Sequence, residues 1–460
     1  MRNYEQYKRI VKFTFSALVI ALEMVVFWYN WLHFYNPKME NPYNRTGHWL
    51  IVAVYGIFLV LFNILYGGLK VGYLRTGNMI YSQFLASVCA NAMAYLQITL
   101  LTKHFQKVLP LLIMTGAEFF VICIWSYLST RLYRFLYPPR SVLLVYGEHP
   151  VAGLMGKIHS RNDRFIVGET IHISSGVELI KEKIQRYEGV VICDIPSRLR
   201  NRILKYCYEK SIRTYTTPKI SDVIIRSAES LHLFDTPLLL SRNHGLSFEQ
   251  QIIKRMMDIA LSLTALILLS PIFLITAAAI KLHDGGTIFY FQERCTKDGK
   301  VFRICKFRSM VMDAEKEGHS VPATEKDPRI TPVGRIIRTT RIDELPQILN
   351  ILKGDMSIVG PRPERVEHIE LYTEKIPEFG YRMKVKGGLT GYAQVYGKYN
   401  TTAYDKLKLD LMYIQNYSLL LDIQIIFKTV KILFMKESTE GFDAEDAAAV
   451  VGSYRKEKTE

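Results

Sequence analysis

The sequence predicts a membrane protein built from a four-helix transmembrane bundle, a cytosolic Rossmann-like α/β module, and a second α/β domain anchored by a Pro-kinked re-entrant helix. Three observations carry that reading. Four apolar runs, at 13–32, 49–69, 79–101 and 109–128, are long enough to cross a bilayer, which takes roughly 20 residues. Strand-like and helix-like segments alternate from 141 to 215. A further apolar run at 259–280 has basic residues at both ends and Ser270-Pro271 near its middle. The expected parts are therefore 1–135, 140–245 and 248–435, the last with a re-entrant helix at 250–282, followed by a flexible tail at 436–460.

Composition supports the class. Of the 460 residues, 49% are hydrophobic and the formal charge is +16, which points to anionic partners. Zinc-finger spacing and RNA-binding sheet motifs are absent, so no nucleic acid partner is expected. The six cysteines include no C-x-x-C pair, as expected of reduced thiols on the cytosolic side. The first apolar run is too long, and too lacking in a small-residue cleavage site, for a signal peptide.

Flanking charges orient the bundle. Arg2, Lys8, Arg9 and Lys12 precede the first run, Lys70 and Arg75 follow the second, and Arg131, Arg134 and Arg140 follow the fourth. The positive-inside rule places these flanks in the cytosol, against a weaker contrary signal from Lys103 and Lys107. The intramembrane polar residues Glu23, Asn63, Asn91 and Glu118 form no series and read as interhelical packing groups.

In the α/β module, strands at 141–147, 165–173, 190–194 and 212–215 alternate with helices at 152–159, 177–187 and 199–210, the pattern of a parallel sheet. The first turn, Gly147 to Gly153, lacks the G-x-G-x-x-G of a dinucleotide site. A structural or dimerising module is expected rather than a nucleotide-binding one.

The helix at 248–282 follows. Lys254, Arg255 and Lys281 flank its apolar part, so both ends are expected in the cytosol and the helix is expected to dip into one leaflet and bend at Pro271. Ser270 can re-satisfy part of the freed backbone. Strands at 287–291 and 301–307 form a hairpin about Asp298-Gly299. It carries Arg294, Arg303, Lys306 and Arg308.

The residues from Arg341 to Glu364 carry the chemistry. Adjacent carboxylates Asp343 and Glu344 precede Pro346 and a short apolar helix, and a stiff Gly360-Pro361-Arg362-Pro363 turn follows. Acids beside arginines suit phosphate chemistry, because carboxylates hold Mg²⁺ or attack phosphorus while guanidinium groups clamp phosphate oxygens. A plain helix-start reading also fits an isolated acid pair, but the surrounding basic block favours the first. A glycine-rich loop from Lys384 through Lys386 to Gln394 offers backbone N–H groups to phosphate. The segment 419–434 reads either as an interfacial amphipathic helix or as one packed on the core.

With these residues in place, 251–434 resembles the bacterial sugar transferases, the monotopic phosphoglycosyl transferases. The shared motifs are Ser270-Pro271, Gln292-Glu293-Arg294, Lys306 to Met310, Arg341 to Pro363 and Leu389 to Val395. The whole chain resembles the larger members. Two positions depart from the family pattern: Thr296 stands where glycine is common, and Gly387 where proline is usual. The resemblance implies that Asp343 attacks the donor phosphorus to form a covalent phosphosugar-enzyme and that Glu344, with Asp343, holds Mg²⁺. Arg294, Lys306, Arg308, Arg341, Gln347, Arg362, Pro363, Lys386 and Gln394 are the expected substrate-binding residues. The implied reaction moves a hexose-1-phosphate from a UDP-sugar, UDP-glucose or UDP-galactose, to undecaprenyl phosphate, releasing UMP, as the first membrane step of exopolysaccharide or capsule synthesis. It implies a lipid bilayer as partner, a homodimer, and a catalytic domain on the cytoplasmic face of the bacterial inner membrane. Direct single displacement is the rival mechanism. The rival role is a non-catalytic membrane scaffold or regulator of polysaccharide assembly.

Overall fold

A computed structural model of the chain describes residues 4–147, 152–241, 245–312, 314, 327–397 and 401–433. The expected tail at 436–460 lies outside them. Residue contacts divide the chain into two compact units, Met1–Lys219 and Ile220–Glu460.

The first unit opens with four long helices, α1 (Lys8–Asn30), α2 (Arg45–Tyr66), α3 (Thr76–Thr102) and α4 (Leu109–Leu136). Each is apolar and long enough to cross a membrane. Helix α1 packs on α2 and α4, and α3 packs on the same two. Large side chains including Phe27, Trp31, Tyr35 and Tyr55 fill the centre. The parts of the helices that face outward expose Leu100, Phe120 and Ile124, as surfaces in contact with lipid do.

The α/β module then places β1 (Arg140–Tyr146), α5 (Ala152–His159), β2 (Phe165–His172), α6 (Val177–Ile184), β3 (Gly189–Cys193), α7 (Ser197–Glu209) and β4 (Arg213–Thr216) in sequence. All strand pairs are parallel, in the order β2-β1-β3-β4. Central β1 and β3 are the most buried strands, which is why the run of Val142, Leu143, Leu144 and Val145 does not alternate with polar residues. The alternating pattern in the sequence thus gives the expected parallel sheet.

The second unit begins with α8 (Ile220–Arg226) and a hairpin of β5 (Glu229–Leu233) and β6 (Thr236–Leu240) whose residues are all exposed. Helix α8 buries Ile220 and Val223 against Phe379, Leu407 and Leu411. Those contacts attach 220–226 to the second unit, although the sequence pattern groups them with the module ending at 245.

Helix α9 (Phe248–Asp284) starts with a Ser247–Gln250 capping box and stays helical through Pro271. Proline lacks the N–H that would bond the Ile267 carbonyl one turn back. The Ser270 hydroxyl donates to that carbonyl at 2.8 Å instead. Around this point Ile267, Leu268, Leu274 and Ile275 are about 70% exposed, a fully apolar surface.

Antiparallel β7 (Phe289–Cys295) and β8 (Val301–Phe307) pair with Tyr290 opposite Lys306. Asp298 and Gly299 both have positive φ, the geometry an Asp-Gly hairpin turn requires. After them come α10 (Pro332–Thr339), α11 (Gln347–Lys353), β9 (Ser357–Val359), α12 (Val366–Lys375), β10 (Gly388–Thr390), α13 (Tyr392–Tyr396), α14 (Ala403–Gln415) and α15 (Leu419–Leu433). Helix α15 takes the core-packed alternative, burying Asp422, Ile425 and Lys431. Asp422 accepts hydrogen bonds from Lys254 Nζ at 2.5 Å and Tyr413 Oη at 2.7 Å, which ties α15 to α9 and α14.

Candidate active site

Three polar contacts hold the elements that present the acid pair. Arg255 on α9 donates to the Ile351 and Leu352 carbonyls at 2.6 and 2.7 Å, satisfying the last turn of α11. Asp258, one turn on, accepts from the Ser357 hydroxyl and the Ile358 N–H, fixing β9. Asn350 joins α11 to β8, accepting from the Cys305 N–H at 2.8 Å and donating to the Arg303 carbonyl at 2.9 Å. The strand that carries Lys306 is thereby locked to the helix that follows the acids.

Asp343 and Glu344 sit in a 3-10 turn, Ile342–Glu344, between α10 and α11. Arg341 introduces the turn with φ of 59°, a left-handed conformation that costs a non-glycine residue about 1–2 kcal/mol. Such strain persists where the surrounding structure holds it. Glu344 is 13% exposed at its side chain, and its Oε1 accepts from Arg362 Nη2 at 2.8 Å and pairs with Lys306 Nζ at 3.4 Å. Burial would raise its pKa, but Arg362 and Lys306 outweigh burial and hold the carboxyl well below the usual range. Glu344 is therefore a fixed anion at neutral pH.

Asp343 is held differently. Among the described residues none donates a hydrogen bond to its carboxylate. Burial, and then the charge of Glu344, push its pKa up, while Lys306, Arg338 and Arg341 oppose them. The outcome is a carboxylate more basic than an ordinary aspartate, with no hydrogen bond restraining its lone pairs. That is what a nucleophile needs.

Arg362 has Glu344 as its main electrostatic partner, and that attraction raises its pKa. Arg294 lies beside it, donating to the Pro363 carbonyl at 3.2 Å and to Gln292. Burial and the charge of Arg362 lower its pKa to about 10. Lys306, Arg341, Arg362 and Arg294 thus converge around the acids. They leave a surplus of positive charge for a phosphate-bearing ligand.

A buried network beneath the Pro-Arg-Pro turn has no counterpart in the sequence reading. Arg382 is 2% exposed. It donates to the Arg362 carbonyl at 3.0 Å, and pairs with Asp410 at 2.7 Å and Glu364 at 3.3 Å. Lys406 adds a second cation to Glu364 at 3.0 Å. Burial alone would raise the Glu364 pKa, but Lys406 and Arg382 hold it well below the carboxylate range. The signal available in the sequence was only that Glu364 closes the Pro-Arg-Pro turn; its partners Arg382 and Lys406 stand far along the chain.

Other expected site residues are placed elsewhere. Arg308 pairs with Asp284 at the end of α9. Lys386 stands near Arg255 and the Gly354 that ends α11. Gln347 is 3% exposed at the start of α11 with its amide nitrogen unpartnered. Gln394 closes its own loop, donating to the Leu389 carbonyl at 3.2 Å.

Pro363 fills the space a side chain at 387 would occupy, its Cγ 2.5 Å from where a Cβ would stand. Gly387 also donates its N–H to Thr296 Oγ1 at 3.0 Å, and that hydroxyl donates to the Asp355 carbonyl. Proline at 387 has no N–H to give, and glycine at 296 has no hydroxyl to receive it. The two departures from the family pattern are therefore the two ends of one hydrogen bond.

Acids this close can serve a divalent cation. Both Arg362 and Lys306 engage Glu344 Oε1, leaving Oε2 and the Asp343 carboxylate as oxygen donors. One or two carboxylates completed by substrate phosphates is the usual Mg²⁺ arrangement.

The geometry is matched by sequence comparison. The family model described as Bacterial sugar transferase matches residues 249–436. The chain is 34% identical over 386 residues to the UDP-N-acetylgalactosamine-undecaprenyl-phosphate N-acetylgalactosaminephosphotransferase of Aeromonas hydrophila, covering 80% of this chain and 86% of the relative. It is 37% identical over 256 residues to the UDP-glucose:undecaprenyl-phosphate glucose-1-phosphate transferase of Klebsiella pneumoniae, covering 55% of this chain and 53% of the other. A protein of the same description in Escherichia coli K12 is 43% identical over 204 residues, 43% of this chain and 42% of the relative.

Proposed function

The chain belongs to the bacterial sugar transferase family, and from that premise we propose that it moves a hexose-1-phosphate from a UDP-sugar to undecaprenyl phosphate and releases UMP. The observation that carries this reading is the contrast within the acid pair. Glu344 is pinned by Arg362 and Lys306, while the adjacent Asp343 carboxylate accepts no hydrogen bond among the described residues and is more basic than usual.

In the proposed first step an Asp343 oxygen bonds the sugar-bearing phosphorus as that phosphorus loses its bond to the UMP oxygen. UMP leaves with the electron pair. In the second step an oxygen of undecaprenyl phosphate bonds the same phosphorus and Asp343 departs as a carboxylate. Lys306, Arg341 and Arg362 stabilise the phosphoryl oxygens while their charge redistributes. Mg²⁺, held by Glu344 and Asp343, would neutralise the diphosphate of the donor.

The donor is a UDP-hexose. UDP-glucose and UDP-galactose are the expected sugars, and the N-acetylgalactosamine named for the relative from Aeromonas adds UDP-N-acetylgalactosamine to the set. We place the protein in the bacterial inner membrane, with α1–α4 spanning it and the catalytic unit on the cytoplasmic face. Helix α9 dips into one leaflet with its apolar surface in lipid and its basic ends in the cytosol. A soluble donor and a lipid-buried acceptor then meet at one interface. The product would open exopolysaccharide or capsule assembly, with the protein acting as a homodimer.

The test is UMP release from a panel of UDP-sugars with undecaprenyl phosphate and Mg²⁺. One donor should support turnover, and a labelled sugar should be trapped on the protein when the acceptor is withheld. Turnover without any trapped adduct would favour direct displacement. No turnover with any UDP-sugar would favour the scaffold role.

A further inference from the structure

The four-helix region holds a hydrogen-bond network that does not close without an added proton. Asn91 on α3 is 2% exposed, and Glu23 on α1, Tyr55 on α2, Ser87 on α3 and Glu118 on α4 are 0% exposed. Tyr55 Oη lies 2.7 Å from both Glu118 Oε1 and Asn91 Oδ1. Glu118 Oε2 lies 2.6 Å from Ser87 Oγ and 2.7 Å from the Asn91 amide nitrogen. That nitrogen is also 2.9 Å from Thr115 Oγ1, which in turn lies 2.9 Å from the Leu111 carbonyl.

These are six contacts, and each needs one hydrogen. The Tyr55, Ser87 and Thr115 hydroxyls bring one apiece and the Asn91 amide brings two, so five hydrogens serve six contacts. Tyr55 cannot donate to both its neighbours. Exchanging the Asn91 oxygen and nitrogen does not help, because the Asn91 oxygen would then face Glu118 Oε2 at 2.7 Å with nothing between them. In either orientation the missing hydrogen falls on Glu118.

Glu23 is a second buried acid of this region. It lies one helical turn before Phe27, whose ring stacks on Tyr55 with centroids 4.0 Å apart. The titratable groups that act on one another here are Glu23, Tyr55 and Glu118, from α1, α2 and α4, and α3 contributes only neutral groups. Among the described residues no lysine, arginine or histidine is paired with them. Two buried carboxylates without a cation are strongly disfavoured in a low-dielectric interior.

We infer that the centre of α1–α4 is a proton-binding site in which Glu118 is held as a neutral carboxylic acid, its hydroxyl directed at Tyr55 while Ser87 and the Asn91 amide donate to its other oxygen.

Infrared spectroscopy of the full chain in lipid nanodiscs at neutral pH tests this through the carboxylic-acid C=O band. The wild type should show a buried band that shifts in D₂O, and Glu118→Gln should remove its Glu118 component. Tyr55→Phe should keep that component and raise its frequency, because a hydrogen bond to the acid is lost. Glu23→Gln should leave the Glu118 component in place, with UMP release unchanged as the check on folding. Absence of the band in active wild-type protein overturns the proposal. So does loss of the band on adding Na⁺, which would assign the site to a metal cation.

Discussion

Glu118 in the helical region and Glu344 in the transferase unit are both carboxylates with little access to water, and they are compensated by opposite means. Glu118 is surrounded by neutral groups, the Tyr55 and Ser87 hydroxyls and the Asn91 amide, with no cation paired to it among the described residues. Glu344 receives Arg362 and Lys306. Neutral donors leave a buried acid that must be neutralised by a proton. Cations leave it ionised, and further cations around it create a field for anions. The first arrangement binds helices together; the second prepares a surface for phosphate.

The largest expected effect separates the acids within the site. Asp343→Asn keeps the size of the side chain but removes its nucleophilic oxygen, and UMP release should fall by roughly three powers of ten or more. Near-normal turnover of that variant would falsify the covalent route.

The next two substitutions test the comparison itself. Glu344→Gln strands Arg362 and Lys306 in a half-buried site, which should cost about 3–5 kcal/mol of stability in denaturant unfolding. Glu118→Gln replaces a protonated acid with a neutral amide and should cost less than about 1.5 kcal/mol. Equal losses would mean that the two carboxylates are compensated alike. Arg382→Leu, which leaves Asp410 and Glu364 without their shared cation, belongs with Glu344→Gln in size.

A pH profile sharpens the contrast between Asp343 and Glu344. Transfer to enzyme needs ionised Asp343, so its rate should fall as pH falls through the folded-state value. That value is raised by burial and by Glu344, so the acid limb should lie above the ordinary aspartate range near about 3.9. Glu344 is held well below that range and stays charged across the limb. A limb at or below the ordinary aspartate value would remove the case for a more basic nucleophile.

The smallest effect concerns the Thr296–Gly387 bond. Thr296→Gly removes the acceptor at a cost of about 1 kcal/mol. Gly387→Pro removes the donor and crowds Pro363. Because the two positions share one contact, the double variant should be more stable than the sum of the single losses predicts, by about 0.5–3 kcal/mol. Strict additivity would show that the bond contributes nothing.

Much of this was legible in residue order. Strand and helix alternation gave the parallel sheet, Ser270-Pro271 gave the serine–carbonyl bond that repairs α9, and Asp298-Gly299 gave the hairpin. Lys306, Arg341 and Arg362 were readable because they stand close in sequence to the acids or in a stiff turn. Arg308, two residues from Lys306 in sequence, pairs with Asp284, a partner its position in the chain does not announce. The Arg382–Glu364–Asp410–Lys406 network could not be read at all, since isolated charged residues on α12–α14 look like solvated surface. Glu23 and Glu118 were read as scattered packing groups because no pattern in one dimension shows which groups of other helices surround a buried acid.

The sequence by itself therefore determined the helices, the strands and the candidate acid pair, because hydrophobic period, turn chemistry and neighbouring charge are local properties. Only the tertiary structure decided which acid is pinned by cations, which arginines reach the pair, and that Glu118 meets neutral groups of two other helices. Those outcomes depend on distance and burial between residues far apart in the chain, and electrostatic energy in a low-dielectric interior is set by those two quantities.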